Sequence, residues 1–492
     1  MRRRWINYGV AAIVYSPEFT ALLLVALVNV VRQRAGTESI VEHKRAAMAN
    51  LRKSTLWSVA EFTAVVLIQL FVMRYIVVVL GVSALGIWSV LMSAAQLARF
   101  FDLGASAGTG RFLAIATLDG NIRQIENILA TIIYVTVPMY LTLSAILFFP
   151  LQGALSFVLK DQALIEGRHL LIYALVSYVA QVLSGAFASS LTGLHLGYRK
   201  SQISIAAIII QAILSVSLIK RFGLPGLAVA QIANYSFTTL VSVLVLTMSV
   251  GVQLKGLLRF HWQTIRKIMS FGIGIQASSL AWGAFETSIR FIMSRFAGVE
   301  QVGTYEIAYK ISSQARVLAF YVSQSLAPMF ASLGASDKQG LVAFYRRVYA
   351  RYALFAAAAA IAIIVFSPLT SLIMLGRVDG MFLLFSALTA LGTMAHIVAS
   401  PSELTAVSMG LFRYNVAGIF VALIVMLLLG PLLGYLFHGP GVASAVLMAA
   451  LIAVSIPLFF NNGALNLPRL PAFRRDLNLA GLIQGIRWPS RQ

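Results

Sequence analysis

Charged side chains inside long apolar stretches are the residues of this sequence that could do chemistry. A charge in hydrocarbon is costly, so it normally faces the interior of a helix bundle or a wet cavity. Such charges are concentrated here in a few stretches, near the start of the chain and just past its middle. They are Glu61 and Arg74, Arg99 and Asp102, then Glu286, Arg290 and Arg295, and Glu306, Lys310 and Arg316. Their placement predicts a polar functional site within the apolar part of the protein.

The cations of this set suit an anionic ligand. A guanidinium group can bind phosphate through two hydrogen bonds and keeps its proton. The cations that we expect to line a cavity and bind an anionic head group are Arg99, Arg316, Arg290, Lys310 and Arg74. The competing interpretation is that they neutralise carboxylates three or four positions away on the same helix. The pairs would be Arg99–Asp102, Glu286–Arg290 and Glu306–Lys310. Arg74 could also extend toward the membrane interface.

Three carboxylates are candidates for binding a coupling proton or sodium ion: Glu403, Glu61 and Glu286. Glu403 follows Ser400-Pro401-Ser402 within an apolar stretch, and His396 lies two turns earlier. A carboxyl group beside a proline kink in a membrane helix can bind such an ion. The competing interpretation of Glu403 is an exposed turn that breaks the helix.

Signatures of catalysis are absent from the sequence. The chain has no cysteine, which excludes thiolate metal sites and cysteine catalysis. It also has no His-Glu-x-x-His pair, no Gly-x-Ser-x-Gly elbow and no phosphate-binding loop with Lys-Ser/Thr. We therefore expect no enzyme activity, no metal, no cofactor, and no coupling to ATP hydrolysis by the chain itself.

Membrane-spanning helices are the elements that must position these residues. Hydrophobic residues make up 59% of the 492-residue chain and charged residues only 11%. The mean hydropathy is +0.86, which is unlike a water-soluble domain. About twelve stretches are long enough to span a membrane, since one span needs about 20 apolar residues. They are 55–80, 84–105, 126–150, 168–191, 201–219, 226–250, 268–297, 303–331, 350–375, 380–408, 414–437 and 440–461.

The basic residues indicate topology rather than a nucleic-acid partner. The formal charge is +22, but Lys and Arg are spread through the gaps between apolar stretches. An even number of spans places both ends of the core on one side, and that side holds most of these cations. The cations of the opposite side are Lys160, Arg168, Lys220, Arg221 and Arg377. We therefore expect the core termini in the cytoplasm.

Two terminal segments lie outside this core. Residues 1–47 contain a moderately apolar run interrupted by Pro17 and Glu18, and we expect an extension with an extra or peripheral helix. Residues 466–492 are rich in Arg and are expected to form a basic cytoplasmic tail.

An internal repeat divides the core into two halves. The segments 81–88, 191–197 and 225–228 are similar to 298–305, 404–410 and 440–443, in the same order and at nearly constant offset. The repeat predicts two six-helix bundles, 50–255 and 256–465, related by a pseudo-twofold axis along the membrane normal. Arg99 and Arg316 are equivalent in the repeat and would face each other across a central cleft. The competing interpretation is that small-residue motifs recur because they let helices pack closely.

The first two spans carry a family resemblance. Residues 74–81, followed by Leu85-Gly86-Ile87-Trp88-Ser89 and by Phe101-Asp102-Leu103-Gly104, are similar to the first two helices of polysaccharide transport proteins. These are the O-antigen-type flippases of the multidrug/oligosaccharidyl-lipid/polysaccharide (MOP) exporter superfamily. The span layout extends the resemblance over residues 50–465. The extra N-terminal segment and the acidic partners near several cations are departures from the family pattern.

The resemblance implies a fold like that of the MATE and MurJ members of the superfamily. It also implies a flippase that moves an undecaprenyl-diphosphate-linked oligosaccharide between membrane leaflets by alternating access, for O-antigen or exopolysaccharide synthesis. The implied partners are that lipid-linked substrate, the membrane and other polysaccharide assembly proteins. Two alternatives stay open. An ion-coupled multidrug antiporter of the same superfamily would be favoured by a net acidic cavity, and a glycan polymerase or ligase would need a large periplasmic loop.

Overall fold

The computed structural model describes residues 40–98, 112–113, 115–116, 122–194, 196–251 and 261–468. Arg99 and Asp102, residues 1–39 and the tail from residue 469 lie outside the described residues, and so do the predictions made for them. Within these ranges every regular element is helical. The all-α membrane fold that the hydropathy predicts is therefore confirmed.

The described chain is a succession of long helices, which we label α1 to α11. Their bounds are Ile40–Leu80, Val82–Gln96, Ile122–Val158, Asp161–Gly193, Gly197–Phe222, Leu224–Val250, Trp262–Ala297, Val299–Ser336, Lys338–Leu375, Gly380–Ser408 and Arg413–Ala464. A π-helical segment at Ile132–Thr136 interrupts α3. The last helix, α11, is two helices joined at His438, where the backbone is not helical.

The predicted spans agree with these helices. Each one overlaps a helix, and the last two are the two parts of α11. Within the described residues, eight helices are long and apolar enough to cross a membrane, or nine if the bent α8 counts as one span. The described part of α2 is shorter than the predicted span 84–105, because the rest of that span lies outside the described residues. The chain is a multi-pass membrane protein.

Contacts group the described residues into two compact units. The first unit takes its described residues from Met1–Val79, Ala98–Ala154 and Ile165–Gln276. The second takes them from Leu80–Leu97, Leu155–Leu164 and Ala277–Gln492. Each unit has its own buried apolar core, around Ile128 and Phe187 in the first and around Phe330 and Tyr345 in the second. The predicted division between residues 255 and 256 stays a prediction.

The predicted repeat is visible in the internal geometry of the two units. Where α5 turns into α6, a Cβ on Gly226 would lie 2.6 Å from the carbonyl oxygen of Leu218. Where the two parts of α11 meet, a Cβ on Gly441 would lie 2.0 Å from the carbonyl oxygen of Leu433. Gly441 lies 215 residues after Gly226, and Leu433 lies 215 residues after Leu218. Glycine is needed at both positions because the helices of each hairpin approach too closely for a side chain.

A second pair of equivalent glycines lies within the second unit, where α2 packs on α8. A Cβ on Gly86 would lie 1.8 Å from the carbonyl oxygen of Val299, and one on Gly303 would lie 2.2 Å from that of Val82. These two glycines are equivalent in the repeat, at an offset of 217 (86 to 303). Backbone atoms cannot give way as a flexible side chain can, so this crossing requires glycine on both helices.

Candidate functional site

A cavity within the second unit is the main candidate for a functional site. It lies between α7, α8, α10 and the second part of α11 and is partly open to the exterior. Its lining is apolar on the α11 side and mixed elsewhere, where Ile289 and Leu388 lie among polar and aromatic residues. The polar and large aromatic lining residues are Trp282, Phe285, Tyr305, Tyr309, Ser313, Arg316, Thr389, Thr393 and His396. Two of these, Arg316 and His396, were singled out by the sequence.

The guanidinium group of Arg316 lies over an aromatic ring in the wall of this cavity. Its Cζ is 4.5 Å from the centre of the Trp282 ring. The imidazole of His396 meets the same indole edge-on, with ring centres 5.6 Å apart. In the part of the chain that the structure describes, Arg316 has no ion pair and no hydrogen bond. The ring stabilises the cation, and the guanidinium keeps N–H groups that can donate to a ligand.

A charged network holds the walls of the cavity in place. Arg290 donates to both carboxylate oxygens of Glu306, from Nε at 2.9 Å and from Nη2 at 3.2 Å. The same guanidinium lies 3.6 Å from the Glu286 carboxylate. Glu286 Oε1 in turn accepts hydrogen bonds from Tyr309 Oη at 2.7 Å and from Trp282 Nε1 at 3.2 Å. Glu286 therefore fixes the orientation of Trp282, the ring on which Arg316 stacks.

The pairing of these charges differs in part from the prediction. Glu286 and Arg290 form the predicted ion pair along α7. The alternative in which Glu306 pairs with Lys310 along α8 is not what the structure shows, because Arg290 of α7 takes both oxygens of Glu306. Lys310 makes no ion pair within the described residues. Two fixed carboxylates neutralise Arg290, so its guanidinium is less suited to bind substrate than that of Arg316.

Several hydroxyl groups line the cavity, and they differ in how they are bonded. Tyr305 is only 2% exposed, and its hydroxyl has no hydrogen-bond partner among the residues that the structure describes. Thr393, on α10 one turn before His396, is also buried, and its hydroxyl makes no hydrogen bond to the described residues. The hydroxyl of Thr389 is fully used, because it donates to the carbonyl of Phe385 and lies 2.9 Å from the hydroxyl of Ser312.

The other predicted site residues lie outside this cavity. Glu403 is half-buried on α10, and among the described residues its carboxylate has neither an ion pair nor a hydrogen bond. In the first unit, Glu61 pairs with Lys200 at 2.7 Å, and half-buried Arg74 lies on the same helix as Glu61. The structure therefore brings Arg316, Glu286 and Arg290 together, and places Glu61 and Arg74 in the other unit.

Sequence reasoning missed the aromatic and hydroxyl residues of the cavity. Tyr305 and Tyr309 are one turn apart on α8 and stack on each other, with ring centres 5.9 Å apart. Trp282 precedes Glu286 by one turn on α7. Their spacing on the same faces as Glu286 and Glu306 was the available signal, since aromatic residues that flank intramembrane charges often complete a polar cavity.

Comparisons with known proteins identify a family and a fold. A family model for polysaccharide biosynthesis proteins matches residues 51–334. An inward-facing multidrug resistance MATE family transporter of the MOP superfamily is 13% identical, with a TM-score of 0.68 over 85% of this chain and 98% of that one. The lipid II flippase MurJ, in an inward closed conformation, is 14% identical, with a TM-score of 0.62 over 89% and 94%.

A further similar structure is a MOP superfamily transporter from Pyrococcus furiosus, for which reverse polarity of the binding pocket suggests a different function. It is 14% identical, with a TM-score of 0.52 over 87% of this chain and 95% of that one. No curated protein matches the sequence significantly. At these identities the solved structures establish the fold, which is the MATE- and MurJ-like fold that the sequence predicts.

Proposed function

The chain belongs to the polysaccharide biosynthesis protein family, and from this membership we propose that it flips an undecaprenyl-diphosphate-linked oligosaccharide across the bacterial inner membrane. The product would serve the synthesis of a surface polysaccharide, either O-antigen or exopolysaccharide. Membership of this family and the MATE- and MurJ-like fold support a MOP-type transporter with a lipid-linked substrate in the membrane. We propose cytoplasmic core termini, alternating access, no catalytic activity and assembly with other polysaccharide-synthesis proteins as parts of the same function.

The observation that carries this proposal is the environment of Arg316. Arg316 forms no salt bridge within the described residues, and its guanidinium interacts with the Glu286 and Glu403 carboxylates only at longer range. A buried guanidinium without a direct hydrogen-bonded partner keeps donors for a ligand or water. Arg316 lines a cavity whose lining contains no Asp or Glu among the described residues. A diphosphate is the part of a lipid-linked oligosaccharide that such a group would bind, through charge-assisted hydrogen bonds.

The cavity lining also bears on the antiporter alternative. An exporter of cationic drugs needs carboxylates on the walls of its binding site. Glu286 and Glu306 do not line this cavity, and Arg290 pairs with both of them, so these two carboxylates and one guanidinium keep one net negative charge behind the lining. The exposed charge of the lining is that of Arg316. This sign favours an anionic substrate over a cationic drug.

The proposal is tested by replacing Arg316 with Ala and measuring surface glycan in cells with matched amounts of the protein in the membrane. We expect export to fall about tenfold or more, because a hydrogen bond to a charged group contributes about 1.5–3 kcal/mol. Arg316→Lys should retain part of the export, since it keeps the charge and loses the planar fork. Arg295→Ala is the matched control, because Arg295 is an exposed arginine of α7 outside the cavity.

The double replacement of Arg99 and Arg316 tests whether the two repeat-equivalent arginines act on one ligand. If both bind the diphosphate, the double variant should export less than either single variant. Export equal to that of the unmodified protein in the double variant would overturn the assignment of the diphosphate to these arginines.

A further inference from the structure

We propose that Arg347 and Arg351 form a binding site for an anionic phospholipid on the outer face of α9. The inference goes beyond the proposed function, because it concerns the membrane around the protein rather than the transported molecule. The site is also separate from the cavity, since α9, all of which the structure describes, contributes no residue to the cavity lining.

The first step of the argument is to identify the side of α9 that faces lipid. One side of α9 is buried in the core of the second unit, through Leu341, Tyr345 and Tyr352. The opposite side carries exposed apolar residues at intervals of three or four positions, which places them on one face of the helix. These residues are Leu354, Ala358, Ile361, Val365, Leu369 and Leu372. In a multi-pass membrane protein, a helix face of this kind contacts the lipid chains.

The length of this lipid-facing side indicates where the membrane begins and ends along α9. Leu354 and Leu372 are 18 positions apart (354 to 372), which corresponds to about 27 Å along the helix axis. The hydrocarbon core of a bilayer is about 30 Å thick, so the apolar face is long enough to cross it. Residues about one turn before Leu354 therefore lie at the level of the lipid head groups.

Two arginines continue the same face into the head-group layer. Arg351 precedes Leu354 by three positions, and Arg347 precedes Arg351 by four, so both lie on the lipid-facing side of α9. Both residues are exposed. They lie about 5 and 10 Å beyond Leu354 along the helix axis. Long arginine side chains at this depth can reach the phosphate groups of neighbouring lipids.

These two cations have no acidic partner in the part of the chain that the structure describes. The sequence of α9 contains no Asp or Glu, and Arg347 donates only from Nε to the carbonyl oxygen of Ala343, at 3.4 Å. By contrast, the exposed Arg377 just past the other end of α9 pairs with Asp379. An anionic lipid would supply the missing negative charge, and its phosphate would accept charge-assisted hydrogen bonds from the guanidinium groups.

Topology alone does not account for this arrangement. The rule that cations collect on one side of the membrane selects an end of a helix, but it does not select a face. A soluble acidic partner would meet cations that point away from the lipid, such as Lys338 and Arg346, which are exposed at the same end of α9 but off its lipid-facing side. The position of Arg347 and Arg351 on the lipid-facing side favours a lipid.

The test measures lipid binding to the purified full-length protein by native mass spectrometry. The probes are phosphatidylglycerol, which is anionic, and phosphatidylcholine, which is zwitterionic. We expect the parent protein to prefer phosphatidylglycerol, and the double variant Arg347→Gln/Arg351→Gln to bind it about tenfold or more weakly. Binding of phosphatidylcholine should change little. The variant Arg347→Lys/Arg351→Lys should keep part of the preference, because it keeps both charges.

The matched control is Lys338→Gln/Arg346→Gln, which removes the same charge from the same end of α9 but outside the lipid-facing side. This control should retain the preference for phosphatidylglycerol. All four substituted residues are exposed, so each variant should unfold at the temperature of the parent protein in detergent without added lipid. Added phosphatidylglycerol should raise the unfolding temperature of the parent and of the control, but not that of Arg347→Gln/Arg351→Gln.

An unchanged preference in Arg347→Gln/Arg351→Gln would overturn the lipid site, and a soluble acidic partner would then account better for these arginines. An equal loss of preference in the control would overturn it as well, because binding would then follow total charge rather than position. Neither outcome bears on the proposed flippase function, which the Arg316 variants test separately.

Discussion

Gly223 and His438 share a backbone conformation that glycine adopts freely and histidine does not. Their dihedral angles are φ 63°, ψ −138° and φ 53°, ψ −132°. They lie 215 residues apart (223 to 438) and occupy equivalent bends, one between α5 and α6 and the other between the two parts of α11. Histidine is strained in this region, although its Nδ1 lies 3.1 Å from the carbonyl oxygen of Phe296.

The strain at His438 predicts the order of stability of two variants. His438→Gly and His438→Ala both lose the contact with Phe296, but only glycine also relieves the strain. We expect His438→Gly to be more stable than His438→Ala by about 1–3 kcal/mol. Thermal unfolding of the purified proteins measures the difference. Gly223→Ala is the converse control: a Cβ there meets no atom within 4 Å, so any loss of stability reports the backbone conformation alone.

The crossing of α2 and α8 predicts that Gly86→Ala is poorly tolerated. The new methyl group would meet the carbonyl oxygen of Val299, so the helices must separate. We expect a lower unfolding temperature and less protein in the membrane. Gly185→Ala in α4 has open space around the new methyl group and should be neutral or stabilising by about 0.5–1 kcal/mol. If both variants behave alike, the close approach of α2 and α8 is contradicted.

The Arg290 network predicts a large difference between a buried and an exposed ion pair. Arg290→Met leaves the carboxylates of Glu286 and Glu306 without their shared cation, and we expect a loss of about 3–5 kcal/mol. Arg377→Ala breaks the pair with Asp379, in which the arginine side chain is 70% exposed, and should change stability by about 0–1 kcal/mol. Similar unfolding temperatures for the two variants would rule out a structural role for Arg290.

Glu403 is our preferred candidate for ion coupling, because its carboxylate forms no salt bridge within the described residues and has only a longer-range electrostatic interaction with Arg316. Glu61 is paired with Lys200, and Glu286 accepts two hydrogen bonds, so neither is as available to a coupling ion. We expect Glu403→Gln to abolish the acceleration of lipid flipping by an imposed proton or sodium gradient in proteoliposomes. Flipping without a gradient should continue. Glu61→Gln is the control, and a gradient response that persists in Glu403→Gln would exclude the role.

The sequence alone was sufficient for the fold and for much of the repeat. Exposing backbone polar groups or charges to lipid is costly, so a helix that crosses the membrane needs about 20 apolar residues in a row. Such a stretch can be recognised without knowing how the helices pack. The positions of Gly86, Gly226, Gly303 and Gly441 followed from the repeat, because close helix approach requires glycine wherever it recurs. Both kinds of signal are contained in residue type and spacing.

Only the tertiary structure decided which charges pair and which stay available. Spacing along α8 suggested Lys310 as the partner of Glu306, but the packing of α7 against α8 brings Arg290 there instead. The same packing lays Arg316 on Trp282 and leaves the Tyr305 hydroxyl unpaired. Contacts between two helices depend on how each helix is rotated about its axis and how far it is shifted along its neighbour. The spacing of residues along one helix predicts neighbours only within that helix. The candidate site is therefore a product of packing, whereas its individual charges were visible in the sequence.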